Sequence, residues 1–123
     1  NRTLAKADEM RARFGSAILP VAWADRARAL DGAATLVNTT TQGMTGQAPL
    51  DIDLGDLPTS ALVCDIVYVP LETGLLAAAR ARGNPVVDGL GMLLHQARPA
   101  FQAWFGILPA IAPELRATIE ATL

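Results

Sequence analysis

The stretch ALVCDIVYVP, residues 61–70, decides the fold. Leu62, Val63, Ile66, Val67 and Tyr68 are strand formers in an almost unbroken run rather than in alternation. Such a run suits a parallel strand covered on both faces, because crossover helices screen each side of a parallel sheet. A strand is expected over residues 61–68, ended by Pro70. The same pattern repeats outward. Thr35-Leu36-Val37-Asn38 reads as a buried strand, and Ile18-Leu19-Pro20-Val21 is too short for a helix and reads as another short strand. Val86-Val87 is a further short strand, downstream.

Helical segments separate these strands. Residues 1–14 carry Thr3 as a candidate N-cap and Met10 and Phe14 at helical spacing before Gly15. Residues 23–30 fit one or two helical turns. Thr73 can cap a helix through Ala79 that Gly83 closes. Asp88-Gly89-Leu90-Gly91 reads as a turn leading to an amphipathic helix over 92–105, with Pro99 as its one internal fault. Pro113 opens a last helix reaching Thr122. The alternation defines an α/β domain, a doubly wound and mostly parallel sheet. It reads like the later part of such a sheet, lacking the first strands and followed by C-terminal helices.

Composition narrows the function classes. At 123 residues the chain is one small domain or part of a larger one. With 51% hydrophobic and 18% charged residues it is not a disordered tail. Ten basic and twelve acidic side chains leave a net charge of −2, which gives no electrostatic argument for nucleic acid or a membrane surface. No apolar run approaches the ~18–20 residues of a membrane span. Cys64 is the single cysteine, which excludes an internal disulfide framework and fits a reducing, cytoplasmic setting. The opening Asn1-Arg2-Thr3 has neither an initiator Met nor a signal segment, so a piece of a longer protein is expected.

Four places could carry chemistry. Arg2 and Lys6 are four residues apart at a helix start beside Thr3, which suits a phosphate: a guanidinium, an ammonium and the partial positive charge of the terminal N–H groups. Two solvated basic residues are the alternative. The loop over residues 39–49, rich in Thr, Gly and Gln, follows a buried strand where ligands of open α/β sheets bind. It could equally be a turn that bonds its own backbone. Tyr68 ends the best strand, where it can offer a phenol to a ligand or pack in the core. Asp65, in an apolar strand, needs a partner if ionised. Paired Gly89 and Gly91 permit close backbone approach, with Gln96 beyond them to donate and accept on one ligand group. His95 is the only histidine and Cys64 reads as a core thiol, so no metal site or nucleophilic dyad is expected.

Together these stretches resemble the carboxyl-terminal half of shikimate dehydrogenase. Asn1-Arg2-Thr3 with Lys6 looks like the family's element for the 2′-phosphate of NADP. Asn38-Thr39-Thr40 with Gly43-Met44 and Gly46 resembles its Asn-Ala-Thr…Gly-Met loop, although Thr39 stands where Ala is usual and Thr41-Gln42 where Pro-Leu is common. Asp65-Ile66-Val67-Tyr68, Pro70, Thr73 and Leu75-Leu76 resemble a third motif. Asp88-Gly89-Leu90-Gly91-Met92-Leu93, Gln96-Ala97, Ala100-Phe101, Trp104, Gly106 and Pro109 resemble the family's last and most specific signature.

The resemblance implies a Rossmann-like, incomplete NADP-binding domain over residues 1–88. Residues 89–123 would be C-terminal helices that complete the cofactor domain and the substrate cleft. Asn1, Arg2, Thr3 and Lys6 would bind the phosphorylated adenosine ribose, and Thr40 would join the cofactor contacts from its loop. Ile66 and Gly89 would line the nicotinamide, and Tyr68 and Gln96 would contact shikimate. The implied reaction is reversible NADP-dependent reduction of 3-dehydroshikimate to shikimate, on the route to chorismate and the aromatic amino acids. The family's catalytic Lys and Asp precede the Asn-Arg-Thr element, so this segment alone is expected to be inactive. Its implied partners are the small-molecule substrate, the N-terminal catalytic domain and, at full length, a second copy in a homodimer. A quinate/shikimate dehydrogenase and a non-catalytic NADP-binding module are the alternatives. In a 3-2-1-4-5-6 sheet the two absent strands are central, so residues 18–21 would lose their neighbour and Thr35–Asn38 would present an open edge.

Overall fold

The computed structural model describes residues 3–123; the expected phosphate contacts Asn1 and Arg2 lie outside the described residues. Helix α1, Leu4–Phe14, begins after Thr3, whose backbone is extended and whose carbonyl accepts from the Lys6 amide at 3.2 Å. Gly15 ends it. Two short 3-10 turns, Trp23–Asp25 and Arg28–Leu30, lead into strand β1, Thr35–Asn38. Strand β2, Leu62–Asp65, helix α2, Gly74–Ala81, and strand β3, Val86–Val87, follow. Helix α3, Gly89–Phe105, and helix α4, Pro113–Glu120, complete the chain.

The strands form one parallel sheet in the order β1-β2-β3. Leu36, Val63 and Val86 share a register row on its buried face. Against them pack Leu75, Leu76 and Ala79 of α2, with Leu30, Leu54 and Leu57 from the connections. The helix is held in place at both ends. The Thr73 hydroxyl accepts from the Leu76 amide at its start, and Asn84 just beyond it donates to the carbonyls of Pro58 and Ala61 ahead of β2.

Four expectations are corrected. Residues 18–21 form no strand. A strand needs a ladder partner, Pro20 has no N–H to give, and the only pairing β1 makes among the described residues is with β2. The run over 61–68 is a strand only as far as Asp65, because the backbone beyond it leaves the ladder: the Val67 amide turns onto the Asp65 carboxylate. The sheet is covered on one face rather than two. The opposite row, Val37, Cys64 and Val87, leaves Val37 47% and Val87 48% exposed, since α2 packs on the other side. Finally, Asp88-Gly89-Leu90-Gly91 is not a turn before a helix at residue 92 but the N-cap and first turn of α3 itself.

Pro99 does not break α3, and the helix closes on Gly106 in the left-handed region, φ 73°. Neither α1 nor α4 buries a residue. Among the described residues no helix is long and apolar enough to cross a membrane.

Candidate cofactor and substrate site

The carboxyl ends of β1 and β2 are tied by a buried polar cluster. Asn38 and Asp65 are register partners, 4% and 2% exposed. The Asn38 amide donates to Asp65 Oδ1 at 3.0 Å and to the Gln42 carbonyl at 3.1 Å. Asp65 Oδ1 also accepts from the Val67 amide at 3.0 Å, and Oδ2 accepts from the Thr73 hydroxyl at 2.7 Å. The partners that a carboxylate in an apolar strand requires are therefore Asn38, Thr73 and a backbone N–H. Two separate sequence motifs, that of Asn38 and that of Asp65 and Thr73, meet at this one carboxylate.

On the other side of Asn38 the network fixes the loop. Asn38 Oδ1 accepts from the Thr40 amide at 3.0 Å and the Thr40 hydroxyl at 2.8 Å, and the Thr40 oxygen accepts from the Gln42 amide at 3.1 Å. The Thr40 hydroxyl proton is thus committed inside the protein, and towards a ligand the oxygen can only accept. Farther along, Gly43 donates to the Ala48 carbonyl and Thr45 to the Val69 carbonyl. The loop bonds its own backbone, and it does so at the carboxyl end of β1.

A cleft of about 570 Å³ opens between this loop and α1. Thr39, Thr40, Thr41 and Gln42 line one side, Ala7 and Met10 another, and Trp23 closes it. Lys6, the residue before Ala7, is exposed at the first turn of α1. Thr3 and Lys6 thus lie at the helix start, as expected, while Thr40 lines the cleft that Ala7 and Met10 border.

At the end of β2, Gly89 is buried against backbone. Its amide donates to the Val67 carbonyl at 3.3 Å, and a Cβ on it would lie 2.3 Å from the Ile66 carbonyl oxygen and 2.6 Å from that of Val67. Only glycine fits here, and the close approach it permits is to the backbone of Ile66 and Val67. Tyr68 is half-buried two residues past Ile66 and Gln96 is exposed on α3. Among the described residues no hydrogen bond joins these two.

The N-terminus of α3 is organised by Asp88. One carboxylate oxygen accepts from the Leu90 amide at 3.0 Å, and the other meets the Arg116 guanidinium at 2.7 Å. The hydrogen bond that Arg116 donates to Asp88 holds its guanidinium above the ordinary pKa, partly opposed by desolvation and helped by the charges of Asp88 and Glu120. The sequence reading passed over Arg116. Its partner lies 28 residues away, and no local spacing marks the pair. Elsewhere, His95 is exposed on α3 and the half-buried Cys64 thiol is pushed up in pKa by burial, which suits a packed thiol rather than a nucleophile.

Residues 89–113 match the Shikimate 5'-dehydrogenase C-terminal domain family. The chain is 58% identical, over all 123 residues, to shikimate dehydrogenase (NADP(+)) of Rhodopseudomonas palustris (strain ATCC BAA-98 / CGA009), covering 44% of that protein. It is 59% identical over 119 residues, 97% of this chain, to shikimate dehydrogenase (NADP(+)) of Paramagnetospirillum magneticum, covering 43% of it. Among solved structures it resembles shikimate 5-dehydrogenase of Thermus thermophilus in complex with NADP(H) and shikimate. That match has a TM-score of 0.77 and 32% identity, covering 99% of this chain and 44% of the other. It also resembles quinate dehydrogenase from Corynebacterium glutamicum in complex with NAD, with a TM-score of 0.79 and 34% identity, covering 97% and 42%. The open parallel sheet agrees with these Rossmann-like relatives. Along its whole length the chain is similar to the carboxyl-terminal part of shikimate dehydrogenases, and it spans about 44% of the length of the curated relatives it matches.

Proposed function

We propose that these residues are the cofactor-binding half of an NADP-dependent shikimate dehydrogenase, which interconverts 3-dehydroshikimate and shikimate. One observation carries the reading. Over all 123 residues the chain is 58% identical to a protein named shikimate dehydrogenase (NADP(+)), and Gly89, expected beside the nicotinamide, stands where the α3 backbone meets that of Ile66. The names of the relatives support the cofactor and the substrate. The donor set also fits a phosphorylated nucleotide: Lys6 brings a cation to a helix start, and the cleft behind it is lined by Thr39, Thr40, Thr41 and Gln42. Arg2 completes this cationic pair in sequence.

In the working protein the nicotinamide carries the hydride, and the chain positions it. Thr3, Lys6, Asn1 and Arg2 hold the 2′-phosphorylated ribose. Thr40 offers lone pairs rather than a proton, so a ribose hydroxyl would donate to it. Ile66 and Gly89 form an apolar wall against the nicotinamide, and Tyr68 and Gln96 present a phenol and an amide to the hydroxyls of shikimate. The groups that move the proton lie in the other part of the parent protein. The division into residues 1–88 and 89–123 follows these roles, and a homodimer of the parent belongs to the same proposal.

The test is steady-state oxidation of shikimate by the parent protein, followed at the nicotinamide absorbance band with NADP and then NAD. The expected result is turnover with a clear preference for NADP, and Lys6→Ala raising KM for NADP about tenfold with kcat little changed. Turnover of quinate with NAD in preference would favour the kind of activity named for the Corynebacterium relative. Cofactor binding with no turnover of either acid would leave a nucleotide-binding module.

A further inference from the structure

We infer that Arg116 is a positioning residue for the nicotinamide wall, acting through Asp88 to hold the first turn of α3 against β2. This rests on the reading of Gly89 given above. Asp88 sits between two demands. Its Oδ1 caps α3 by accepting from the Leu90 amide, and its Oδ2 is held by Arg116 at 2.7 Å. The residue between cap and capped amide is Gly89, buried and in contact with the Ile66 and Val67 carbonyls. Rotation of the Asp88 carboxylate would release the Leu90 amide and so loosen the turn that carries Gly89. Arg116 opposes that rotation from outside the helix.

Arg116 is itself fixed on α4. Its Nε meets Glu120 Oε1 at 2.7 Å, four residues on, so the guanidinium is oriented towards Asp88 by its own helix. Helix α4 buries no residue. Beyond its own flanking residues, no hydrogen bond or ion pair other than Arg116 to Asp88 links it to the described chain. An exposed helix whose single charged tether ends on the N-cap beside a ligand-lining glycine is poorly explained by core packing. It is well explained as a brace. The pair is only partly screened, with the side chains 35% and 26% exposed, so its hold is moderate and sensitive to salt.

The experiment uses the parent protein with Arg116→Gln, Arg116→Lys and Glu120→Gln, read in two ways. The first is amide hydrogen exchange without cofactor. Arg116→Gln is expected to speed exchange at Leu90 and its neighbours while the β2 amides stay unchanged. The second is kinetic. For Arg116→Gln, kcat falls about fivefold and KM for NADP rises by a similar factor while KM for shikimate moves little, since the disturbed wall faces the nicotinamide. Arg116→Lys recovers part of the loss, and Glu120→Gln causes a smaller loss of the same kind. Unchanged exchange at Leu90 together with unchanged NADP kinetics would overturn the inference, as would slowing that falls equally on both substrates. If the wild-type parent turned over no shikimate, the reading of Gly89 would fail on its own; the exchange data would still decide whether Arg116 braces the helix start.

Discussion

Gly89 and Thr73 are the residues on which the site turns, and they fail in opposite ways when changed. At Gly89 the obstacle is backbone. A methyl group would sit 2.3 Å from the Ile66 carbonyl oxygen, main chain just past β2 that cannot swing aside as a side chain could. Gly89→Ala should therefore push α3 away from β2, costing about 2–3 kcal/mol of stability by overpacking and a larger share of NADP affinity. The check is denaturant unfolding of the parent alongside cofactor titration. Gly91 is a built-in control, because a Cβ there meets nothing within 4 Å. Gly91→Ala should leave stability at or above wild type, by up to about 1 kcal/mol from helix propensity.

At Thr73 the problem is an orphaned charge partner. Its hydroxyl donates to Asp65 Oδ2 at 2.7 Å and accepts from the Leu76 amide at 3.3 Å, with Thr73 1% exposed. Thr73→Val keeps the shape, removes both bonds and leaves a buried carboxylate oxygen without its donor. A loss of about 2–4 kcal/mol is expected in the unfolding free energy of the parent, against well under half of that for Thr73→Ser, which retains the hydroxyl. Equal losses for Val and Ser would show that the methyl group, not the hydroxyl, carries the position. The need of Asp65 for partners was legible in the sequence, because an acid in an apolar run must find them. Their identities were not, since Asn38 and Thr73 are 27 and 8 residues away and meet it only when the sheet and α2 form.

At the scale of elements, sequence reading succeeded where local chemistry is complete and failed where a distant partner decides. Thr73 as a cap, Gly83 as a helix end and Pro113 at a helix start are each settled within one or two turns of chain. The edge strands Thr35–Asn38 and Val86–Val87 were readable because each is a compact β-branched or apolar run, and both pair with β2. Residues 18–21 have much the same composition, but among the described residues no strand pairs with them and the Ile18 amide bonds back to the Gly15 carbonyl, so the backbone remains irregular. The start of α3 shows the same limit from the other side. Two glycines suggested a turn, but Asp88 capping and the Gly89 contact with the Ile66–Val67 backbone past β2 draw both into the helix. Propensity against glycine is a matter of ~1 kcal/mol, and tertiary packing outweighs it. Of the site, the loop, Gly89 and the helix start at Lys6 could be read from residues, with their roles coming from a family resemblance. The brace from Arg116 could not, since its meaning depends on how α4 lies against α3.

For the whole molecule the decisive quantity is apolar surface with no cover. The sheet is screened on one face only, and the row of Val37, Cys64 and Val87 faces outward with both edge residues about half exposed. Trp104 is 77% exposed and Leu19 76%, and Phe14, Phe105 and Ile107 add further large side chains. Small domains hold a narrow margin between burial and chain entropy, and each of these side chains withholds its ~1.5–3 kcal/mol from the favourable side. β1 also offers an unpaired edge among the described residues, a template for another chain. The 123-residue chain on its own should therefore bind a hydrophobic dye and melt over a broad range, or associate at micromolar concentration. The parent, which adds the larger share of the length seen in the relatives, should melt sharply and bind the dye weakly. Differential scanning calorimetry with parallel dye fluorescence on both proteins makes the comparison. A single sharp transition of the short chain, with calorimetric and van't Hoff enthalpies in agreement, would show that the α2-packed core of Leu57, Val63 and Leu76 is sufficient by itself. The exposed rows would then have to be stabilised by something other than the rest of the parent.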